Sequence, residues 1–461
     1  VLIIGGGPGG YEAAIRLNQY GIDCAVAEKE RLGGVCLNWG CIPTKALVKS
    51  AELWQEIGDA AAYGLNAERQ TLDYEKVFNR KNEVVEKLVS GVEYLFNKRK
   101  IPVIKAVAQS FCKNGDNFIT EIEGQEAISS DFVILATGSI PQELPAVKID
   151  EEDILSSTGV LKLKHLPSSM AIVGGGVVGC EFASVLSSFG VEIHLIEYLP
   201  QILSTEDDEI SKRLQLFLKK SGIKIKTGTG VIGSKKQSGK IALQFSDGSE
   251  LVVDKVLLSV GRKPCLDIRY PAELSLSANG SMEIDNSMKT NIPGLYAIGD
   301  VTGKMPLAHT AAKQGLIAAE DIRSRITGLA GQHDELLYEN IPRCTFTHPE
   351  VASIGLTEKQ ASDKYGEIKI GRFPFAANGK AIAGGNVNGF VKVVARAEDN
   401  RLIGMHIIGP NAAELIAQGS ILINLQSTVE DVDKVVFAHP TLSEANMEAI
   451  EDLQGLSIHK M

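Results

Sequence analysis

Val1-Leu2-Ile3-Ile4-Gly5-Gly6-Gly7-Pro8-Gly9-Gly10 opens the chain as an apolar run followed by G-x-G-x-x-G. The run reads as a buried strand, and Ala13, Ala14 and Leu17 carry the spacing of an amphipathic helix. A second apolar run, Cys24-Ala25-Val26-Ala27, ends at Glu28. Such a turn lets a pyrophosphate approach a helix N-terminus, and the acid after the second strand accepts from ribose hydroxyls. A glycine-rich turn alone is common; two strands and Glu28 in the right places make it specific for a dinucleotide. Gly5, Gly7, Gly10 and Glu28 form the first candidate binding set.

The same plan recurs. Ala171-Ile172-Val173 leads into Gly174-Gly175-Gly176-Val177-Val178-Gly179, and Ile193-His194-Leu195-Ile196 ends at Glu197, as far from its turn as Glu28 is from the first. Asp131-Phe132-Val133-Ile134-Leu135-Ala136-Thr137-Gly138 is echoed by Asp254-Lys255-Val256-Leu257-Leu258-Ser259-Val260-Gly261. This internal repeat predicts two dinucleotide domains. Gly174, Gly176, Gly179 and Glu197 form the second set. A carboxylate at Glu197 repels a 2′-phosphate and no arginine follows it, which favours NAD over NADP.

The first copy is longer, and its extra residues hold Gly33-Gly34-Val35-Cys36-Leu37-Asn38-Trp39-Gly40-Cys41-Ile42-Pro43-Thr44-Lys45. Pro43 suits a first helical turn, and Ala46, Leu47, Ala51 and Trp54 continue an apolar face. Cys41 then lies at a helix N-terminus, which favours a thiolate. The spacing of Cys36 and Cys41 admits a small, easily reduced disulfide loop. Two unrelated thiols are the alternative. Zinc wants a second cysteine pair, and the other five of the seven cysteines are scattered singly. A further helix, roughly Tyr74–Lys98, has an apolar face of Val77, Val84, Val85, Leu88, Val92, Leu95 and Phe96.

Ile241–Phe245 and Glu250–Val253 flank Asp247-Gly248, a β-hairpin pattern. Ile292–Asp300 reads as a strand ending at an acid, before a helix near Ala308–Arg325. Asp300 is either a holder of a ribityl or ribose hydroxyl or a helix cap. From Ile341 the glycine-rich plan stops. Short strands at Ile368–Ile370, Gly389–Val394 and Ile403–Ile408, with helices at Asn411–Leu425 and Thr428–Val432, suggest an α+β domain. The expected segments are 1–145, a dinucleotide domain with the cysteine insertion; 146–265, the second dinucleotide domain; 266–340, returning to the first; and 341–461, a C-terminal domain.

Near the end, His439 and Glu444 are either a general base with its orienting acid or a surface histidine ahead of a helix starting at Pro440. His348-Pro349-Glu350 repeats the dipeptide without the later acid, and His309 reads as a structural contact near a cofactor. Lys45 is a solvated lysine or a buried one in need of an anionic partner, for which Glu181 is the candidate. No serine-protease-type triad and no metal motif stands out.

With 461 residues the chain is long enough for about three domains. Hydrophobic residues at 44% supply sizeable cores. A net charge of −10 argues against nucleic acid or an anionic membrane as the main partner. No apolar run reaches membrane-spanning length. Unpatterned cysteines suggest a reducing compartment. Position 1 already lies inside a strand, so targeting is left open.

Taken together, these features resemble the pyridine nucleotide–disulfide oxidoreductases, and within them the branch that oxidises dihydrolipoamide, over essentially the whole chain. Besides Gly33–Lys45, the matching stretches are Ala136-Thr137-Gly138-Ser139, Gly261-Arg262-Lys263-Pro264, Leu307-Ala308-His309, Asn378-Gly379-Lys380-Ala381 and His439-Pro440-Thr441-Leu442-Ser443-Glu444. The resemblance implies an α/β fold of two Rossmann-like dinucleotide-binding domains plus a C-terminal α+β dimerisation domain. It implies FAD at the first site, with Gly5, Gly7, Gly10, Glu28, Lys45, Ala108, Thr137, Gly138, Asp300 and Ala308. At the second site it implies NAD, with Gly174, Gly176, Gly179, Glu181, Glu197, Gly261 and Arg262. It implies a Cys36–Cys41 disulfide in which Cys36 is attacked and Cys41 faces the flavin. His439 would be the base, reaching the other subunit of a homodimer, and Glu444 would orient it. The implied partners are lipoyl domains and the acyltransferase core of a 2-oxo acid dehydrogenase or glycine-cleavage complex. The implied location is the bacterial cytoplasm, or the mitochondrial matrix in a eukaryote.

Trp39 is bulkier than the residue usual there, and Ala106 and Ala108 replace common glycines. Leu37-Asn38 and Ile42-Pro43-Thr44-Lys45 speak against a glutathione-type reductase, and the tail lacks the cysteine pair usual in mercuric reductase. A mainly docking subunit with vestigial catalysis is a third reading, opposed by intact Cys36, Cys41, His439 and Glu444.

Overall fold

The computed structural model describes residues 1–66, 71–329 and 335–460. They fall into two compact units, each drawn from three stretches of chain. The first comprises Val1–Leu47, Tyr74–Gln142 and Gly261–Tyr338; the second Val48–Asp73, Glu143–Val260 and Glu339–Met461.

In the first unit, a parallel sheet runs in the order Leu295–Ala297, Val133–Leu135, Leu2–Ile4, Ala25–Ala27, Val103–Ile104. Leu2 pairs with Ala25 on one side and Val133 on the other. All three residues of Leu2–Ile4 are buried, as a strand covered on both faces requires. The helix after the glycine turn, Pro8–Gln19, buries Ala13, Ala14 and Leu17 and packs along Ala308–Thr327. Apolar spacing fixes that face, and Pro8 suits the first turn because its missing N–H needs no partner there. Ala108–Asn114, Asn117–Ile122 and Ile128–Ser130 add a small antiparallel sheet.

The helix expected near Tyr74–Lys98 spans Tyr74–Arg99, but its buried face is rotated. Lys81, Val85, Val89, Val92 and Phe96 face inward, while Leu88 and Leu95 are exposed. A lysine sits on the apolar stripe because its ammonium rests over the Phe78 ring at 4.2 Å and donates to Asn82 Oδ1 at 2.8 Å. Burial lowers the Lys81 pKa to about 8.

The second unit repeats the plan. Its parallel sheet runs Lys224–Lys226, Glu192–Ile196, Ser169–Val173, Lys255–Leu258, Ile154–Leu155. The Asp247-Gly248 hairpin forms between Lys240–Phe245 and Glu250–Val253. Beyond residue 340 the sheet is antiparallel, in the order Arg343–Thr345, Glu350–Gly355, Leu402–Gly409, Phe390–Arg396, Ile368–Pro374. The first two of these strands carry no clear alternation in sequence, and the last runs past the expected Ile370. Leu402–Gly409 is buried along its whole length, and helices Ala412–Asn424 and Glu444–Glu451 pack on the sheet.

Candidate active site

The two glycine turns have matching geometry. A Cβ on Gly10 would stand 1.9 Å from the Gly5 carbonyl oxygen, and one on Gly179 would stand 1.9 Å from that of Gly174. Only glycine lets helix and strand approach so closely. At Gly7 the nearest atom to an added Cβ is Gly34 Cα at 4.0 Å, and at Gly176 nothing lies within 4 Å. That open backbone, at helix N-termini without side-chain caps, is a cradle for phosphate oxygens.

Each terminal acid is locked to its own turn. Glu28 Oε2 accepts from Gly6 N at 2.7 Å and Oε1 from Glu30 N at 2.8 Å. Glu197 Oε2 accepts from Gly175 N at 2.6 Å and Oε1 from Leu199 N at 2.7 Å. These bonds aim the carboxylates beside the cradle while leaving lone pairs for hydroxyl donors.

Cys36 lies on a short helix, Gly34–Trp39, and Cys41 opens the next, Cys41–Asp59. The first helix has no strong sequence signal; Gly40, with φ −142° and ψ −110°, breaks the chain between them. The two thiols are hydrogen-bonded. That bond, then burial and the charge of Cys41, push the Cys36 thiol far up, against the pull of Lys45. Of the two, Cys41 at the helix N-terminus is the better placed to carry a thiolate.

Cys41 also lies in the field of a half-buried arginine. Arg262 donates through Nε to Ser139 Oγ at 2.7 Å and through an η nitrogen to Ser139 O at 2.6 Å. Ser139 Oγ in turn donates to Asp300 Oδ2 at 2.5 Å. Burial lowers the Arg262 pKa, opposed by the charges of Asp300 and Cys41. Arg262 thus lies in the first unit with Asp300 and Cys41. Asp300 itself lies on a short 3-10 turn, Gly299–Thr302. Ser139 is a member of this cluster to which sequence reading gave no role; its signal is its place directly after Thr137-Gly138.

Thr137 donates to Cys265 O at 2.7 Å, Gly138 has φ +72°, and Ala108 and Ala308 begin a strand and a helix of the same unit. A cavity of about 470 Å³ opens beside Cys36, lined also by Tyr11, Glu12, Ala308, His309 and Lys313. Burial and Glu12 push the Tyr11 phenol up to about 12, so it stays protonated.

In the second unit, Glu181 is buried and accepts from Phe346 N at 3.0 Å, and Gly261 begins the return to the first unit at φ +120°. His439 is highly exposed, at 78%, and its Nδ1 is held by Glu444 Oε1 at 2.8 Å. Glu444 opens helix Glu444–Glu451, four residues later than the sequence suggested, and its Oε2 accepts from Thr441 N at 2.8 Å. Burial would raise the Glu444 pKa, but the Thr441 N–H, His439 and His459 outweigh it and lower it. With its proton on Nδ1, His439 presents the Nε2 lone pair outward. Among the described residues no group of three His, Cys, Asp or Glu side chains forms a metal site, and no helix is long and apolar enough to cross a membrane.

Residues 1–315 match the family described as pyridine nucleotide-disulphide oxidoreductase, and residues 341–450 match its dimerisation domain. The chain belongs to this family. It is an oxidoreductase whose cofactors are FAD and NAD, and it carries the domain through which members form dimers. It is 39% identical over 463 residues to a dihydrolipoyl dehydrogenase of Bacillus subtilis, covering 99% of each chain. It is 37% identical to the mitochondrial dihydrolipoyl dehydrogenase of Pisum sativum, covering all of this chain and 92% of that one. Its fold superposes on LpdA from Mycobacterium tuberculosis with a TM-score of 0.89 at 23% identity, covering 98% and 99%. On the HOCl-induced flavoprotein disulfide reductase RclA from Escherichia coli the TM-score is 0.84 at 25% identity, with the same coverage. The open backbone at Gly7 and Gly176 and the locked acids Glu28 and Glu197 fit two bound dinucleotides.

Proposed function

We propose that the chain oxidises dihydrolipoyl groups to lipoyl disulfides and passes the electrons to NAD. The observation that carries this reading is the Cys36–Cys41 pair at a helix N-terminus, set in a chain similar over its full length to dihydrolipoyl dehydrogenases. In our reading, Nε2 of His439 of the partner subunit takes a proton from one substrate thiol. The thiolate attacks Cys36 Sγ, the Cys36–Cys41 bond breaks, and its electron pair leaves on Cys41. The second substrate thiol then attacks the first substrate sulfur, closing the lipoyl disulfide and releasing Cys36, which takes up a proton. Glu444 holds the imidazole ready for both transfers, and Arg262 with the helix N-terminus steadies the charge on Cys41. FAD, when bound, supplies the acceptor for the dithiol's two electrons, and NAD the terminal hydride acceptor.

In the same reading, Gly5, Gly7, Gly10, Glu28, Lys45, Ala108, Thr137, Gly138, Asp300 and Ala308 hold FAD, while Gly174, Gly176, Gly179, Glu181, Glu197, Gly261 and Arg262 hold NAD. Residues 1–145 with 266–340, 146–265 and 341–461 are the FAD, NAD and dimerisation domains. The substrate is carried on lipoyl domains of a 2-oxo acid dehydrogenase or glycine-cleavage complex, in a bacterial cytoplasm or a mitochondrial matrix. The test is a steady-state comparison of dihydrolipoamide with NAD against glutathione disulfide and Hg(II) with NADH and NADPH. Preference for dihydrolipoamide with NAD supports the reading; preference for either rival overturns it.

A further inference from the structure

The tail of the chain builds a second imidazole–carboxylate pair beside the first. Glu444 and Glu448 stand one helical turn apart on Glu444–Glu451, on one face. Glu444 Oε1 holds Nδ1 of His439 at 2.8 Å, and Glu448 Oε1 holds Nδ1 of His459 at 2.5 Å. The other oxygen of Glu448 accepts from Ser457 Oγ at 2.6 Å, Ile458 N at 2.9 Å and His459 N at 3.4 Å. This nearly buried carboxylate thus folds the tail back on the helix while the His459 ring stays exposed, as His439 does.

The charged groups around the pairs are few. His459 feels Glu448, Glu444 and Glu451; Glu451 also feels Asp433, from just past helix Val429–Val432; Lys460 is paired with Asp452. The bond to Glu448 raises the His459 pKa, so the ring keeps its charge to higher pH than a free imidazole. Glu444 in turn responds to both imidazoles.

We propose that His459, fixed by Glu448, is a positioning residue for the base. As an imidazolium held on Glu448, which is one turn from Glu444, it competes for that carboxylate's field and weakens its hold on a proton carried by His439. The pair sets how far toward acid the base keeps working. The inference rests on the reading of His439 as the base.

The test compares pH profiles of kcat/KM for dihydrolipoamide in wild type, H459Q and H459K holoenzymes, together with the ring titration of His439 by NMR without substrate. H459Q keeps the Ser457 and Ile458 donors to Glu448, so the tail remains anchored. Its acid limb and its His439 titration are expected to move up by about half a pH unit at low salt, the order of effect for unit charges a turn or so apart in a water-like medium. The shift is expected to shrink in 1 M salt. H459K, which restores a cation, is expected to restore the wild-type profile, which a purely structural tail contact would not do. Superposable H459Q and wild-type titrations at low salt would overturn the proposal, as would failure of H459K to reverse the change. If wild type does not oxidise dihydrolipoamide, the parent reading fails, while the His439 titration still decides this one.

Discussion

Lys392 donates to Asp207 Oδ1 at 2.8 Å, with both side chains almost wholly buried, at 1% and 3% exposure. Lys392 also reaches Glu358 at 2.6 Å, and Asp207 accepts from the backbone of Glu209 and Glu358. Burial would raise the Asp207 pKa, but Lys392 and these neighbours outweigh it and lower it. A depressed carboxylate stabilises the fold above its unfolded value near 4 and loses that contribution as pH falls through the folded value. K392M leaves Asp207 buried without its cation, and about 3–5 kcal/mol of stability is expected to go. In urea unfolding of the holoenzyme, the gap between wild type and K392M should be full at pH 7 and narrow below about pH 4 as Asp207 is protonated. A gap that held constant into acid would mean that the pair is not its source.

The thiols make a second prediction. Cys41 sits at a helix N-terminus, so Cys36→Ser is expected to leave it as a thiolate, giving the FAD-loaded protein a long-wavelength absorbance without reductant. Cys41→Ser should lack that band even when reduced. Opposite spectra from the two variants would exchange the roles of the sulfurs.

Cofactor choice turns on Glu197. Its neighbour Tyr198 is largely exposed, which leaves room for a longer cation. Replacing Glu197 by serine with arginine at 198 removes a ribose acceptor and the repulsion of a 2′-phosphate, each worth on the order of 1–3 kcal/mol. NAD efficiency is expected to fall tenfold or more while NADP efficiency rises. A wild type that uses both cofactors equally would contradict the role given to Glu197.

A mixed dimer tests the shared site. One chain carries Cys36→Ser and the other His439→Gln, and each homodimer should be nearly inactive, since losing a general base costs about a hundredfold or more. If each site joins Cys36 of one chain to His439 of the other, a mixed dimer has one site with both lesions and one intact. About half of wild-type activity should then return in a doubly tagged, FAD-loaded heterodimer, by the same estimate. Continued inactivity there would rule out the cross-subunit base.

Sequence legibility follows the range of the interactions. The glycine turns were readable because their requirement is local: a Cβ at Gly10 meets a carbonyl five residues away. The pairing of His439 with Glu444 was also within reach of a short spacing. The Arg262–Ser139–Asp300 cluster was not, because it joins residues more than a hundred positions apart whose individual signals are weak. The strands Arg343–Thr345 and Glu350–Gly355 were hidden for a related reason: partners elsewhere in the chain, rather than local alternation, make them strands. On helix Tyr74–Arg99 the apolar pattern covered a wide arc, and packing chose the side that includes Lys81 over the side with Leu88.

The acids at 206 to 209 also bear on how such chains can be recombined. Glu206 binds Arg343 at 3.1 Å, Asp207 binds Lys392, and Glu209 binds Arg372 at 2.7 Å, so the cations all come from beyond residue 340. A graft that exchanged the part of the chain beyond residue 340 with that of a relative would need matching bases at all three places, or it would strand carboxylates against a foreign sheet. Drift on one side of this seam is therefore constrained by the other, and crossovers between divergent lineages should survive when the acids and their bases travel together.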